Sequence, residues 1–351
     1  MQRSLLLFQN SIHSKETLRV YQYSLDKFLK YFKLRDYDSL AGMDSKMLQE
    51  MVEDYVMEKK SQGKARSTIK TPVSALELFC DANDLTINWK KINRLLPAQK
   101  KKSGSKAYTT QQIQKMLQAT TNIRNKAIIH FIASSGVRIG ALPELKLKHV
   151  RNMPQGCKVV TVYPDDVEEY YTFLTSEASK ALDDYLEKRV HDGEHLDPEH
   201  PLFRQNYAIG IAKPKHLAKV SIQAIIDRIL RRAELRFGRD GSRRDVQLDH
   251  GFRKRWNTIV KTTDGVKIIL AEKMFGHSTP TIPLDETYVD ASIEKLFEEF
   301  KKAIPELTID DSQRLKFKNE QQSQKITQLE EKIARIEDLE RRMRVMEKST
   351  Q

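Results

Sequence analysis

Apolar residues recur at helical spacing through the first third of the chain. Over residues 14 to 33, Leu18, Tyr21, Leu25, Phe28, Leu29 and Phe32 fall on one face, opposite lysine and arginine, and this spacing predicts an amphipathic helix. Residues 45 to 60 and 67 to 83 repeat the pattern on either side of a break at Gly63. Together they predict a small all-helical domain ending near Pro97. From Thr109 the signal is mixed, with helical spacing over 109–119, 124–135, 176–190, 220–236, 251–262 and 264–275. Between the second and third of these lies CKVVTVYPDDVEEYYTFLT, two β-branched and aromatic runs around a polar turn, which predicts a hairpin. The fold class is therefore mainly α with a small β component, the second domain being α+β. In the tail, Ile326, Leu329, Ile333, Ile336, Leu339, Met343 and Met346 follow spacings of 3, 4, 3, 3, 4 and 3, a heptad-like seam with one stammer. This predicts a coiled coil or a helix docked on another subunit, the alternative being a charged helical tail.

Length adds domain count. A chain of 351 residues exceeds one ordinary domain and fits two with an extension. The expected boundaries are a helical domain over 1–98, a linker over 99–108 in the polar stretch AQKKKSGSKAY, a second domain over 109–307 and a C-terminal helical tail over 308–351. Charge adds a partner class: a net +13 with pI near 9.4 attracts polyanions, either nucleic acid or an anionic membrane. Residues 1 to 110 hold 20 Lys and Arg against 12 Asp and Glu, whereas residues 111 to 310 hold 31 against 28. The surplus thus sits in the helical domain and linker, as a grip on a phosphate backbone requires, although an ordinary solvated helix face gives the same count. The basic residues are spread over several helices instead of lining one, which disfavours a membrane surface. No segment approaches the roughly 20 consecutive apolar residues that span a bilayer, and the start lacks a signal-peptide core, so the expected location is cytoplasmic and nucleoid-associated. Two cysteines, Cys80 and Cys157, cannot supply a disulfide framework or a four-cysteine zinc site.

No Gly-rich phosphate loop, HExxH or CxxC pair occurs. His191, His195 and His200 in HDGEHLDPEH read as a solvated loop between helices rather than a metal cluster. Three other segments place cationic or imidazole groups at a turn or helix start. In HFIASSGVRIGALPELKLKHV, Arg138 follows an apolar helix and a Ser-Ser-Gly turn, where a guanidinium can engage two phosphate oxygens. In LDHGFRKRWNTIV, His250 and Arg253 lie three apart, on one helical face, with Phe252 and Trp256 as anchors. In KMFGHSTPTIPLDETYVDAS, His277 follows a glycine and Tyr288 comes eleven residues later. Taken singly, each is as well explained by a cap, a surface cation or a packed aromatic.

The ordered set of a Gly-x-Arg turn, HxxR about 110 residues later, Gly-His and then a tyrosine resembles the tyrosine recombinase (phage integrase) family. The resemblance covers roughly residues 10 to 300, and the SxPLDETY loop looks most like archaeal members. It implies a SAM-like core-binding domain followed by a catalytic domain that cuts and rejoins DNA through a covalent phosphotyrosine, without metal or nucleotide cofactor. It further implies that Arg138 and Arg253 clamp the scissile phosphate, that His250 assists proton transfer, that His277 hydrogen-bonds a phosphate oxygen and that Tyr288 is the nucleophile. Charge neutralisation by fixed cations is what a pentacoordinate phosphorus needs. A phenol of pKa about 10 attacks only if its proton is removed or its oxyanion is stabilised. The implied partner is a double-stranded attachment site, held by Arg66, Lys100, Lys101, Lys102 and Lys106, with a homo-oligomer, a tetramer, assembled on it.

Two departures stand out. Family members carry a lysine in the hairpin turn as acid for the leaving oxygen, but here the turn is PDDVEE, and Lys158 at the start of the first strand is the nearest candidate. The interval from His277 to Tyr288 is also about two residues longer than in bacterial members. A tyrosine transposase or a topoisomerase-like enzyme shares the chemistry, and a catalytically silent DNA-binding protein shares the fold. Formation of a covalent DNA adduct separates the last from the others.

Overall fold

The computed structural model describes residues 2–99, 106–206, 213–235, 239–240, 243–244, 246, 248, 250–277 and 291–349. The chain divides into two compact units, Met1–Ser103 and Gly104–Gln351. It is mainly helical with few strands, as the hydrophobic pattern predicts.

The first unit holds helices α1 (Arg3–Asn10), α2 (Lys15–Tyr31), α3 (Tyr37–Ala41), α4 (Ser45–Ser61), α5 (Arg66–Ala82) and α6 (Trp89–Leu95). Several start on a side-chain cap: Ser14, Asp36, Asp44 and Asn88 each accept a backbone N–H from the first turn, which stabilises each helix by about 1 kcal/mol. The three predicted helices agree with α2, α4 and α5 to within two residues. Helix α1 was not predicted, because its apolar run is short; it is held by tertiary contact, with Phe8 fully buried 5.9 Å from the Phe79 ring and Ser4 bonded to Asp38. The interior is the apolar set of these helices, including Leu25, Phe28, Val52, Ile69, Leu76 and Phe79. Arg66, expected to contact DNA, donates through Nη1 to the Pro97 carbonyl at 2.9 Å.

The second unit opens with α7 (Thr110–Gln118) and α8 (Ile123–Ser135) and continues through a 3-10 segment (Ile139–Glu144). Strands β1 (Val150–Asn152), β2 (Lys158–Val162) and β3 (Tyr170–Leu174) form an antiparallel sheet in the order β1-β2-β3. Helices α9 (Ser176–His191), α10 (Lys219–Arg232), α11 (His250–Thr262), α12 (Ile268–Met274), α13 (Ile293–Leu307) and α14 (Asp311–Ser349) complete the described part, with a two-residue strand pair, Arg239–Asp240 against Arg243–Arg244. The predicted hairpin is β2–β3. Strand β1 is three residues long, too short to show alternation. The helix predicted from 264 starts instead at Ile268, because Gly265 takes φ +76° and its carbonyl accepts from Lys302.

Helix α8 is buried on every side from Ala127 to Phe131 save for His130, and its walls are α9, α11 and β3. A second core forms where Phe173 of β3 meets Phe297 and Phe300 of α13, with ring centroids 5.4 and 5.3 Å apart. The HDGEHLDPEH loop, expected to be solvated, is pinned from within. Glu194 is buried between Arg189 and Arg204, and Arg189 also donates to the Pro201 and Leu202 carbonyls at 2.9 and 3.1 Å. No helix among the described residues is long and apolar enough to cross a membrane.

Candidate active site

The site is built where three chain segments converge. Helix α8 ends at Gly136, which adopts the left-handed conformation at φ +61° that terminates a helix without a Cβ penalty. Glycine is needed for a second reason: a Cβ here would lie 2.6 Å from Cγ of the buried Trp256. The chain turns tightly against α11, and Arg138 emerges half-buried two residues on, at the head of the 3-10 segment. Replacing Gly136 with alanine is expected to destabilise the fold by about 2 kcal/mol or more, through both strain and overpacking. Gly140, with open space around it and no positive φ, is the control. A thermal midpoint for Gly136→Ala equal to that of Gly140→Ala would contradict this packing.

Helix α11 begins at His250, so His250 and Arg253 share its first turn and one face, as their spacing predicts. The Arg253 guanidinium is buried. Its Nη1 donates to the Gly136 carbonyl at 2.8 Å, its Nη2 donates to the Phe275 carbonyl at 2.6 Å, and its Cζ lies 3.5 Å from the Phe275 ring centroid. Burial lowers the guanidinium to about 10, so it remains charged through the neutral range. Trp256, one turn further, stacks on the other partner of that arrangement, its ring 5.4 Å from Phe275 at 11°. The neighbouring Arg255 points elsewhere and bonds the Glu306 and Leu307 carbonyls and Thr110, fixing the end of α13.

The third segment is the end of α12. Gly276 takes φ +62°, and a Cβ there would meet the Tyr170 ring at 2.5 Å, so the turn lies flat against β3. Its carbonyl accepts from Arg138 Nη2 at 3.0 Å. One short turn, Phe275–Gly276, thus receives both guanidinia.

His277 follows. Its Nδ1 lies 2.9 Å from Glu272, and Glu272 also pairs with Lys261. Burial works against the Glu272 carboxylate, yet Lys261 and His277 outweigh it and hold its pKa below the ordinary value. For His277 burial wins over the Glu272 contact, with Arg253 and Arg138 adding to it, and the imidazole pKa falls below its ordinary value. The Glu272 contact orients the ring through Nδ1 and leaves Nε2 as its other hydrogen-bonding nitrogen.

A cleft of about 650 Å³ opens beside this turn. Arg138, Gly276, His277 and Lys273 of α12 line one part of it, and the hairpin residues Glu168, Glu169, Tyr170 and Tyr171 line another. The Tyr170 hydroxyl is buried, without a hydrogen-bond partner among the described residues, and burial raises its pKa. The structure thus brings Arg138, Arg253 and His277 to one turn, with His250 on the Arg253 face of α11. Lys158 is elsewhere, at the end of β2 away from the hairpin turn, where Nζ bonds Asn152 at 2.7 Å and Asp183 at 3.1 Å. Tyr288, Lys100, Lys101 and Lys102 lie outside the described residues, and Lys106 is exposed. Phe275, Glu272 and Lys273 are not singled out by the sequence. All three sit within five residues of His277, and that proximity is the signal that points to them.

Both units have matched families. Residues 5–82 match the model described as "Phage integrase, N-terminal SAM-like domain". No curated protein matches the chain. Among solved structures, the XerH site-specific recombinase bound to palindromic difH substrate, a post-cleavage complex, is 21% identical with a TM-score of 0.54, over 80% of this chain and 78% of that one. The Tn1549 transposon integrase in complex with transposon right end DNA is 13% identical with a TM-score of 0.54, over 86% of this chain and 99% of that one. At these identities the likeness is one of fold. The second unit carries the decisive match: residues 106–294, more than half of the chain, fit the model of the "Phage integrase family", and the chain belongs to that family.

Proposed function

We propose that the chain is an archaeal-type tyrosine integrase, a site-specific recombinase that cleaves and rejoins DNA through a 3′-phosphotyrosyl intermediate at Tyr288, with neither metal nor nucleotide cofactor. One observation carries this reading. Arg138 and Arg253, from distant parts of the chain, are anchored on the same Phe275–Gly276 turn beside His277 and an open cleft. Fixed guanidinia that already spend some N–H groups on carbonyls cannot reorient when an anion arrives, and this preorganisation makes them effective at a phosphorus gaining charge. The two solved relatives are both DNA complexes, and this supports DNA as the polyanion that the net charge of +13 calls for.

In the proposed step a phosphodiester lies against Arg138 and Arg253, and Tyr288 attacks it. His250 takes the phenolic proton. His277 holds a non-bridging oxygen through Nε2, the incoming anion raising its pKa until that nitrogen carries a proton. Residues 1–98 and the linker 99–108 act as the clamp on double-stranded attachment sites, with Lys100, Lys101, Lys102, Lys106 and Arg66 on the backbone, so binding weakens steeply with salt. Residues 109–307 form the catalytic domain, and the enzyme works with the nucleoid in the cytoplasm. The test is a pool of nicked duplexes with randomised cores, from which DNA that becomes covalently bound to protein is recovered and sequenced. A recurring core sequence is the expected result. Sequence-independent retention without any adduct supports the catalytically silent alternative.

The tail, residues 308–351, is proposed to assemble a tetramer on DNA. Its seam residues Ile326, Leu329, Ile333, Ile336 and Leu339 are each about half exposed, at 49–55%, on one long helix. A cut must spare Ile309, which is buried in the domain core, and Lys318, which pairs with Glu306 at 2.7 Å. A chain ending at Glu320 is expected to bind a single half-site as the full chain does and to form at least about tenfold less of the paired complex, given the apolar area removed. Unchanged assembly in sedimentation runs with and without DNA would remove this role from the tail.

A further inference from the structure

A deoxyribose oxygen expelled from phosphorus leaves as a strongly basic alkoxide unless a proton reaches it while the bond breaks. The hairpin turn, where a lysine was expected to supply that proton, contains Asp165, Asp166, Glu168 and Glu169 and no cation. Lys158 does not serve the cleft. It sits at the far end of β2 from that turn, bonded to Asn152 and Asp183, and it is absent from the cleft lining.

The cleft itself holds a better placed ammonium. Among the described residues that line it, Lys273 is the one lysine, and it shares the lining with Arg138 and His277. It lies in the last turn of α12, next to the turn that receives both guanidinia, and the Gly276 N–H donates to its carbonyl at 3.1 Å. The other cleft groups are poorer donors: Glu168 and Glu169 are carboxylates of the hairpin turn, and the Tyr171 hydroxyl already donates to Glu169 at 3.1 Å. A guanidinium does not release a proton in a protein. His277, with Nδ1 facing Glu272, is committed through Nε2 to a non-bridging oxygen in the step proposed above. The Tyr170 hydroxyl is buried away from the opening.

On the strand-cleavage reading above, we propose that Lys273 is the catalytic acid that protonates the leaving 5′ oxygen. As the Tyr288 oxygen bonds to phosphorus, its proton passes to His250. The bond from phosphorus to the 5′ oxygen breaks, its electron pair stays on that oxygen, and the Lys273 ammonium gives up one proton to it and becomes an amine. Rejoining runs the same transfers backwards, the amine taking the proton from the attacking hydroxyl.

The test uses the full chain and the duplex selected by the wild-type enzyme, made once with oxygen and once with sulfur at the bridging 5′ position. A thiolate leaves without a proton. Lys273→Ala and the length-preserving Lys273→Gln are expected to slow single-turnover cleavage of the oxygen substrate by about 10²-fold or more, and to cleave the sulfur substrate within a few-fold of wild type. Arg138→Ala is expected to be slow on both. The assignment is overturned if the Lys273 variants cleave the oxygen substrate normally, if they are equally slow on both substrates, or if sulfur rescues Lys158→Ala instead. Those outcomes leave the recombinase reading intact, because wild-type protein still forms the adduct. Absence of an adduct with wild-type protein on either substrate would sink both.

Discussion

Tyr288→Phe is expected to bind the selected duplex as tightly as the parent chain and to form no covalent adduct, with cleavage falling by on the order of 10⁴ or more. The substitution removes one oxygen and keeps the ring, so a packing role for Tyr288 would survive it. Denaturing electrophoresis of protein with labelled DNA reads the outcome directly. Wild-type adduct from Tyr288→Phe would move the nucleophile to another tyrosine, with Tyr170, Tyr171 and Tyr207 as the alternatives. The surroundings of two of these argue against them. Tyr170 is buried and its proton is held more tightly than in water, whereas the Tyr171 hydroxyl donates to Glu169 at 3.1 Å. Tyr207 lies outside the described residues.

The second large effect separates the two arginines. Arg138→Ala is expected to lower the cleavage rate by about 10²–10³-fold, the size of a lost transition-state donor, with little change in thermal midpoint. Arg138 is half-buried and, among the described residues, donates to the Gly276 carbonyl. Arg253→Ala should cost the same rate and also fold stability, by about 2–5 kcal/mol, because it leaves the Gly136 and Phe275 carbonyls without their partner and opens a cavity against the Phe275 ring. Arg253→Lys keeps the charge but not the fork, and should recover part of the stability and little of the rate. Single-turnover cleavage and thermal unfolding of the same preparations give both numbers. Wild-type cleavage by Arg138→Ala would remove it from the site.

Much of this architecture was legible in the sequence, and for identifiable reasons. Helices α2, α4 and α5 each bury one face, so their periodicity survives in the order of residues. Residues 157–175 read as a hairpin because β-branched runs flank a polar turn. What escaped was short or held from outside. Helix α1 depends on Phe8 meeting Phe79, and β1 depends on its pairing with β2. Helix α13 is the exception, being neither short nor unmarked: it carries the spacing Leu296, Phe300, Ala303 and Leu307, a Ser292 cap and Pro305 in its last turn, so it was legible and is missing from the elements the sequence analysis predicts.

The candidate site shows the same division. Residue order pointed to Arg138, His250, Arg253 and His277, because each chemistry-bearing type sits beside a turn or helix start. It could not show that Gly136 and Gly276 serve as contact surfaces for Trp256 and Tyr170, a matter of distances between remote segments. Nor could it show that Glu272 bridges His277 and Lys261, although Glu272 is only five residues from His277. Lys273 was hidden for another reason. A lysine on an amphipathic helix reads as solvated until the helix is known to end at a cleft lined by Arg138 and His277.

The most direct test of the central claim is to find the atom that carries the DNA. The covalent complex formed on the selected duplex is digested with nuclease and protease, and the nucleotide-bearing peptide is sequenced by mass spectrometry. A single modified peptide with the nucleotide on the Tyr288 phenolic oxygen is the predicted result. A nucleotide on any other residue, or a protein that binds the duplex and never carries one, would contradict it.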